Sequence, residues 1–256
     1  MRYKVLGQLE VIDGSITRTP SAAKVRQTLA LLLLRANQVV PLDSLLYELW
    51  DDNPPRSGVT TAQTYIYQIR KMLAEEYGDE SAKQLLKTVP AGYLLRAEPE
   101  QLDVWRFDGL VESARECRDS GEVHSAAERL RDALALWAGS ALSNVTCGRL
   151  LQGYSAYLED KRISALELRI KADMMLGMHH ELIAELRSLV VEHPFNEWFH
   201  AQLILALNRS GRRNEALRAY RDIRTLLNDE LGLDPFVDLQ RVHQGILEAD
   251  VPDLVG

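Results

Sequence analysis

The order of elements predicted for residues 42–93 restricts the fold more than any other feature of the chain. Apolar residues recur at helical spacing in LDSLLYELW, and the adjacent prolines of DDNPPRSG then end that helix, because proline lacks the backbone N–H that a helix needs. A second helical pattern follows in VTTAQTYIYQIRKML, and LLKTVPAGYLL contains the turn residues of a hairpin tip. We therefore predict two helices joined by a tight turn and followed by a β-hairpin.

The second of these helices has two different faces when it is drawn at about 100° per residue. The apolar arc, which we expect to be buried, consists of Ala62, Ile66, Ile69 and Leu73. The opposite arc consists of Thr60, Thr61, Thr64, Tyr67, Gln68 and Lys71. Threonines lower helix propensity, whereas hydroxyl, amide and methyl groups suit the base edges in the major groove of DNA. We expect this helix to read double-stranded DNA; the alternative is that it packs against another surface.

Three more basic residues lie near this helix and hairpin. Arg70 is at the edge of the buried arc, from which its side chain can reach a DNA phosphate. Lys87 and Arg96 flank the hairpin, and we consider them as contacts to the DNA backbone at the minor groove. The alternative for these two is equally well supported, because charged residues on edge strands prevent aggregation. The absence of Asp and Glu between Thr60 and Lys71 favours DNA as the partner.

The rest of the N-terminal third mixes strands and helices. Residues 3–11 alternate between apolar and polar side chains, which predicts a strand, and Asp13-Gly14 predicts a hairpin turn after it. The apolar residues of a following helix recur at helical spacing: Val25, Leu29, Leu32 and Leu33. We therefore predict an α+β domain over residues 1–97.

Residues 98–256 are predicted to form an all-α domain. The helical pattern is broken at four places: Ser120-Gly121, Gly177, His193-Pro194 and Ser210-Gly211. Gly177 and Gly211 are 34 residues apart, which is the period of tetratricopeptide repeats, and the residues that follow them correspond. We predict tetratricopeptide-like helical hairpins; a general helical bundle with coincident spacing is the alternative.

The charge is distributed unevenly along the chain. Residues 1–98 contain 12 Lys and Arg and 11 Asp and Glu, a net charge of +1. Since the whole chain has 30 basic and 37 acidic residues, residues 99–256 carry a net charge of −8. Such asymmetry is consistent with nucleic-acid binding by the first part. A domain of charge +1 predicts few phosphate contacts per protomer, so we expect protomers to associate on DNA.

The sequence gives no indication of catalysis or of a bound group. It contains no glycine-rich phosphate loop and no nucleophile-elbow motif, and its histidines lack the spacing of a zinc site. Cys117 and Cys147 are expected to be free thiols. We expect no catalytic residue, no cofactor, no metal and no membrane contact. Since the N-terminus does not resemble a signal peptide, we expect a cytoplasmic protein associated with the nucleoid.

Several segments together resemble the Streptomyces antibiotic regulatory protein family. VVPLDSLLYELW, TTAQTYIYQIRKML and TVPAGYLL look like the winged helix of the OmpR class, and EHPFNEWFHAQLILAL, RSGRRNEALRAYRDIR and ELGLDP resemble the helical half of the family. The resemblance implies an OmpR-type winged-helix DNA-binding domain over residues 1–97. It implies a bacterial transcriptional activator domain, built from tetratricopeptide-like hairpins, over residues 98–256. Ala91 departs from the family, which often has a second glycine there.

The resemblance also implies a function and partners. It implies a sequence-specific activator of a secondary-metabolite gene cluster, in the small form of the family. Such a protein binds direct repeats near promoters and recruits RNA polymerase holoenzyme. One alternative is a protein-interaction adaptor with the same repeats. Another is a small-molecule sensor whose pocket would be lined by Trp105, Trp137, Trp198 and Phe199.

Overall fold

The computed structural model describes residues 1–248, which divide into two compact units. One unit combines Met1–Ser120 with Glu128–Leu166, and the other combines Gly121–Ala127 with the chain from Glu167 onward. The first unit thus continues past residue 97, because residues 128–166 belong to the same compact body as the N-terminal elements. The domain boundary between residues 97 and 98 stays a prediction.

The N-terminal region has the α+β composition that the sequence predicts. Its elements are β1 (Arg2–Lys4), β2 (Glu10–Asp13), β3 (Ile16–Thr17), α1 (Ala23–Leu34), β4 (Val39–Pro41), α2 (Leu42–Trp50), α3 (Gly58–Tyr77), α4 (Asp79–Leu85), β5 (Leu86–Val89) and β6 (Gly92–Leu95). The antiparallel strands form two sheets, with the orders β1-β2-β3 and β4-β6-β5. The second sheet contains the predicted hairpin, which we call the wing (Leu86–Leu95).

The elements that follow β6 in the described chain are helices joined by loops. After a 3₁₀ turn at Pro99–Gln101 they are α5 (Asp103–Asp119), α6 (Val123–Leu134), α7 (Arg149–Met175), α8 (His179–Glu192), α9 (Glu197–Arg209), α10 (Arg213–Leu231) and α11 (Val237–Glu248). Within residues 1–248 no strand follows β6. The fold is therefore an α+β winged helix-turn-helix followed by an all-α tetratricopeptide-like domain. No helix in this range is long and apolar enough to cross a bilayer.

Each predicted break in the C-terminal region lies between two helices. Gly177 and Gly211 have nearly the same backbone angle, with φ of 78° and 76°, a conformation that glycine adopts without strain. The next residue closes each turn in the same way, since Met178 N donates to Asp173 O and Arg212 N donates to Leu207 O. The 34-residue spacing in the sequence therefore reflects a repeated helix end.

The prediction of one strand over residues 3–11 is wrong. The structure has β1 and β2, and they are separated by residues 5–9, which form no ladder with either strand. The backbone of the intervening segment pairs instead with a loop after α6: Ala138 N donates to Leu6 O at 2.9 Å, and Leu142 N donates to Val5 O at 3.1 Å. Alternation indicated the burial of side chains correctly, but it did not reveal the pairing partner.

Candidate nucleic-acid interface

Helix α3 buries the arc that the sequence predicts. Ala62, Ile66, Ile69 and Leu73 are each at most 1 % exposed and pack into the core of the winged helix. Five of the residues predicted for the opposite arc are exposed: Thr60, Thr64, Tyr67, Gln68 and Lys71. We call these five the reading face. Tyr67 is 66 % exposed, so a large aromatic ring on this face is available to a partner.

Two threonine hydroxyls of α3 already donate hydrogen bonds within the helix. Thr64 Oγ1 donates to Thr60 O at 2.9 Å, and Thr61 Oγ1 donates to Ser57 O at the same distance. Each hydroxyl hydrogen is thus engaged, and what Thr64 presents outward is its methyl group and its oxygen lone pairs. Thr61 is half-buried rather than fully exposed, because it lies at the border between the exposed arc and the buried arc of α3.

Gln63 is an exposed residue of α3 that the sequence reasoning did not include. At about 100° per residue it falls between Arg70 and Tyr67, at the border of the exposed arc. The helical projection alone therefore contained the signal. A flexible side-chain amide at this place adds one donor and one acceptor to the reading face.

Arg70 lies on the side of α3 that faces the wing. Its Nε donates to Leu86 O at 2.9 Å, and its Nη2 donates to Thr88 Oγ1 at 2.8 Å. The guanidinium is half-buried and joins helix α3 to strand β5. The geometry therefore gives Arg70 a contact inside the protein in addition to the phosphate contact expected from the sequence.

Lys87 and Arg96 lie toward the base of the wing. Lys87 is the second residue of β5 and pairs with Leu94, while Arg96 follows β6 and its backbone N–H donates to Leu85 O at 2.8 Å. The tip between β5 and β6 is Pro90-Ala91. Since a strand rises about 3.3 Å per residue, Arg96 is about 15 Å along the strand from the tip. Arg96 is exposed and Lys87 half-buried.

Glycine is required where the wing meets the rest of the winged helix. Gly92 has φ of 153°, and a Cβ atom there would lie 2.1 Å from Val40 O on the paired strand β4. The sequence analysis predicts no strand at β4, which is only three residues long. The close pairing of β4 with β6 sets the wing against the helix-turn-helix.

Glu48 of α2 is a buried charge that the sequence reasoning missed. It is 2 % exposed. The apolar residue Leu45 lies three positions before it on α2, and Leu49 directly follows it. Helical spacing predicts its burial, but its partners lie about a hundred residues further along the chain: Gly148, Leu150 and Leu151 donate backbone N–H groups to its carboxylate. No pattern in the sequence connects these positions.

Asp103 is the second buried carboxyl group of this unit. It accepts hydrogen bonds from the backbone N–H groups of Val5 and Leu6 at 2.9–3.0 Å. Burial raises the pKa of Asp103 to about 6, and the N–H donors oppose that rise. Asp103 is therefore largely ionised at neutral pH, as its all-acceptor geometry requires.

The aromatic residues considered for a ligand pocket are separate from the open surface depressions. Phe199 is fully buried with Trp198 edge-on against it at 5.5 Å, and Trp137 is edge-on to Phe107 at 5.7 Å. Two depressions in the described chain, of about 550 and 360 Å³, are lined by other residues. Trp137, Trp198 and Phe199 thus pack against neighbouring rings.

Comparison with known proteins agrees with this geometry. Residues 17–95 match the family model of the transcriptional regulatory protein C terminal, and residues 102–247 match that of the bacterial transcriptional activator domain. The regulatory protein DnrI of Streptomyces peucetius is 40 % identical, over 98 % of this chain and 93 % of DnrI. The chain belongs to the Streptomyces antibiotic regulatory protein family. It is therefore a DNA-binding transcriptional regulator.

Other members of this family are longer than the present chain. The regulatory protein AfsR of Streptomyces coelicolor is 36 % identical over 98 % of this chain, which spans 24 % of AfsR. The structure of Mycobacterium tuberculosis EmbR in complex with a low-affinity phosphopeptide superposes with a TM-score of 0.92 at 29 % identity. That superposition covers 98 % of this chain and 66 % of EmbR. The winged helix and the helical domain of the regulator thus recur together.

Proposed function

We propose that the regulator activates transcription from promoters at which α3 enters the major groove of an operator. The observation that carries this proposal is the reading face, which is exposed, polar and without a carboxylate. Asp and Glu are absent from residues 53–74, so nothing on this surface repels the phosphate backbone. The buried opposite arc fixes the helix firmly enough to present these side chains in one orientation.

The residues near the DNA divide into two groups by chemistry. Thr60, Thr64, Tyr67 and Gln68 carry groups that distinguish base edges, and the exposed Gln63 joins them. Lys71, Lys87 and Arg96 are cations that contact phosphates irrespective of sequence. Thr61 and Arg70 complete the set proposed from the sequence; both are partly buried, and we assign them mainly to the support of the helix and the wing.

Protomers bind next to each other on direct repeats in this proposal. The winged-helix part has a net charge of only +1, so one protomer alone holds DNA weakly. Neighbouring protomers on one face of the duplex must recur every 10 to 10.5 base pairs, roughly one helical turn. Self-association on DNA therefore supplies affinity that the charge of a single winged helix does not.

The spacing between repeats tests this arrangement. Inserting about five base pairs turns the second repeat to the far side of the duplex, whereas inserting about ten restores the face. In gel-shift titrations we expect the five-base-pair insertion to abolish tight binding and the ten-base-pair insertion to recover part of it. Equal affinity for both spacers would contradict side-by-side binding.

The helical domain recruits RNA polymerase holoenzyme in this proposal. Residues 99–256 carry a net charge of −8, which disfavours phosphate contacts and leaves their surface to protein. Phe236 directly precedes α11 and is 65 % exposed, and Val237 is the first residue of α11 and is 52 % exposed, while Pro235 and Leu239 are buried. The regulator acts in the cytoplasm, where its DNA lies, on a secondary-metabolite gene cluster, and it catalyses no reaction.

One experiment addresses the operator and the activation together. Footprinting with the full chain on the intergenic regions of its own gene neighbourhood should protect direct repeats. Transcription from the protected promoter with purified RNA polymerase holoenzyme should rise when the regulator is added, and Gln68→Ala should reduce both effects. Protection without any rise in transcription would overturn the activator role and leave a DNA-binding protein of another kind.

A further inference from the structure

Glu48 connects the helix-turn-helix to the activator domain inside one compact unit. Its Oε1 accepts from Gly148 N at 2.6 Å, and its Oε2 accepts from Leu150 N and Leu151 N at 3.0 Å. Glu48 belongs to α2, within residues 17–95, and its three donors lie within residues 102–247. One side chain thus joins the regions that the two family models describe.

Two of the donors, Leu150 and Leu151, are the second and third residues of helix α7, and Gly148 comes directly before the helix. The opening N–H groups of a helix have no partner within the helix, and a carboxylate is favourable there because the helix dipole is positive at that end. Helix α7 is 27 residues long, so its start fixes the direction of a long element. Glu48 therefore acts as an N-terminal cap supplied by a distant helix.

Two neighbours make the contact specific to this position. Gln27 of α1 is 1 % exposed and donates from Nε2 to Glu48 Oε1 at 2.8 Å and to Glu48 O at 2.7 Å. Gly148 approaches so closely that a Cβ atom there would lie 2.1 Å from Glu48 O. The site thus satisfies a buried charge from both sides and excludes a side chain at residue 148.

A second contact lies at the surface beside the first. Arg149 forms a 3.0 Å ion pair with Asp51, and its Nη1 lies 3.2 Å from Tyr47 Oη. Tyr47 belongs to α2 and Asp51 directly follows it, so the start of α7 contacts this end of α2 at the surface as well as in the core. Exposed ion pairs contribute little stability, and the buried carboxylate must therefore dominate this junction.

We propose that Glu48 is a positioning residue that locks the helix-turn-helix to the start of α7, so that the helix-turn-helix and residues 128–166 of the activator domain act as one body within the first compact unit. α2 is the helix that precedes the turn before α3. With α2 fixed to the start of α7, this part of the activator domain keeps one position relative to α2 when α3 is in the groove. The proposal rests on the proposed function for its consequence in transcription, but the lock itself is a property of the free protein.

Amide exchange in the full-length protein tests the lock without DNA. In the unmodified regulator the amides of Leu150 and Leu151 should exchange as slowly as the amides in the core of α2. Glu48→Gln places an amide NH₂ against backbone N–H donors and should speed exchange at Leu150 and Leu151 at least tenfold. Asp43→Asn, an exposed change on the same helix, should have no effect.

The wild-type measurement is decisive even if Glu48→Gln does not fold. Exchange at Leu150 and Leu151 that is orders of magnitude faster than in α2 would overturn the lock. Cys147 provides a second probe next to the junction, where its thiol is half-buried and burial raises its pKa. In a Cys117→Ser background, Gly148→Ala should increase the reactivity of Cys147 toward a thiol reagent. Unchanged reactivity in a folded Gly148→Ala protein would contradict the contact.

Transcription separates a positioning role from general stability. At saturating operator, Glu48→Gln should lower activation at least tenfold while affinity for a single repeat stays within twofold of the wild type. Normal activation together with rapid exchange at α7 would show that the lock has no role in activation, and the proposal would fall. If the wild type itself neither binds nor activates, the proposed function fails, and the exchange data still decide whether the lock exists.

Discussion

Arg70 on α3 donates from Nε to the carbonyl oxygen of Leu86 in the wing, 2.9 Å away. The helix and the wing are therefore positioned by the same side chain. Lys71, the next residue, is exposed and lies on the reading face. Two adjacent cations of α3 thus have different surroundings, and their substitutions should have different effects.

Replacing Lys71 should change the salt dependence of binding, and replacing Arg70 should not. Lys71→Ala removes one phosphate contact, so the slope of log affinity against log salt should fall by about 0.9 for all sequences alike. Arg70→Ala should weaken binding with little change in slope and should speed amide exchange in β5. Arg70→Lys is the control, because it keeps the charge without the two-pronged contact. Equal loss of slope in both alanine variants would show that Arg70 contacts phosphate directly.

The outward group of Thr64 can be identified with a matched pair of variants. Thr64 Oγ1 donates to Thr60 O, so we expect its methyl group to face the base. Thr64→Val keeps the methyl group and Thr64→Ser keeps the hydroxyl. Valine should bind the operator nearly as well as the wild type, and serine should lose about 1 kcal/mol or more in a gel-shift titration. The reverse order would mean that the hydroxyl makes the contact.

Gln68 should contribute to affinity for the operator and not to affinity for unrelated DNA. Its exposed amide offers a donor and an acceptor, the pair that adenine can satisfy in the major groove. Gln68→Ala should cost about 1–3 kcal/mol on the operator and leave binding to unrelated DNA unchanged. Selection from a randomised operator should then show relaxed preference at one base pair. An unchanged selection profile would remove Gln68 from the base-reading residues.

The wing should tolerate a change at Ala91 and not at Gly92. Gly92→Ala would place Cβ 2.1 Å from Val40 O at a φ of 153°, and we expect it to lower the free energy of unfolding by about 3 kcal/mol. Ala91→Gly is the matched control at the exposed tip and should cost about 0.5 kcal/mol. Thermal unfolding measures both. Similar losses would mean that β4 moves away from β6 without difficulty.

The stability of the fold should depend on pH through Asp103. Burial raises the pKa of Asp103 from 3.8 to about 6, so the native state binds this proton more tightly than the unfolded chain does. The resulting stabilisation is complete below about pH 4 and is lost as the pH rises through 6, a change of about 3 kcal/mol. Denaturant titrations from pH 4 to 7 should show this decrease in the wild type. Asp103→Asn should abolish it, and parallel profiles for the two proteins would contradict the assignment.

Local patterns in the sequence predicted the helix-turn-helix and its two faces well. The buried arc of α3 follows from helical spacing, because a residue returns to the same side of a helix every three to four positions. The helix end at Gly177 and Gly211 follows from the need of glycine for positive φ. These features depend on residues that are close in the sequence, so a single sequence contains the information.

Contacts between distant residues could be recognised only in the structure. The pattern over residues 3–11 predicted one strand, yet the backbone of residues 5–7 pairs with the loop after α6, because alternation specifies which side chains are buried and not which segment supplies the hydrogen bonds. The sequence shows only that Arg70 is basic and lies at the edge of the buried arc, whereas its distance to Leu86 shows that it contacts the wing. The same limit applies to α4, a short helix that no sequence pattern predicted.

The sequence by itself determined which elements form, which faces they bury and that α3 presents a polar surface without carboxylates. Tertiary structure alone decided how these elements are joined. Helical spacing shows that Glu48 faces the core, but a buried carboxylate needs donors, and its donors lie at the start of a helix about a hundred residues away. Helix and turn preferences depend on residues that are close in the sequence. The hydrogen bonds of a buried carboxylate depend on which distant groups the folded chain places beside it.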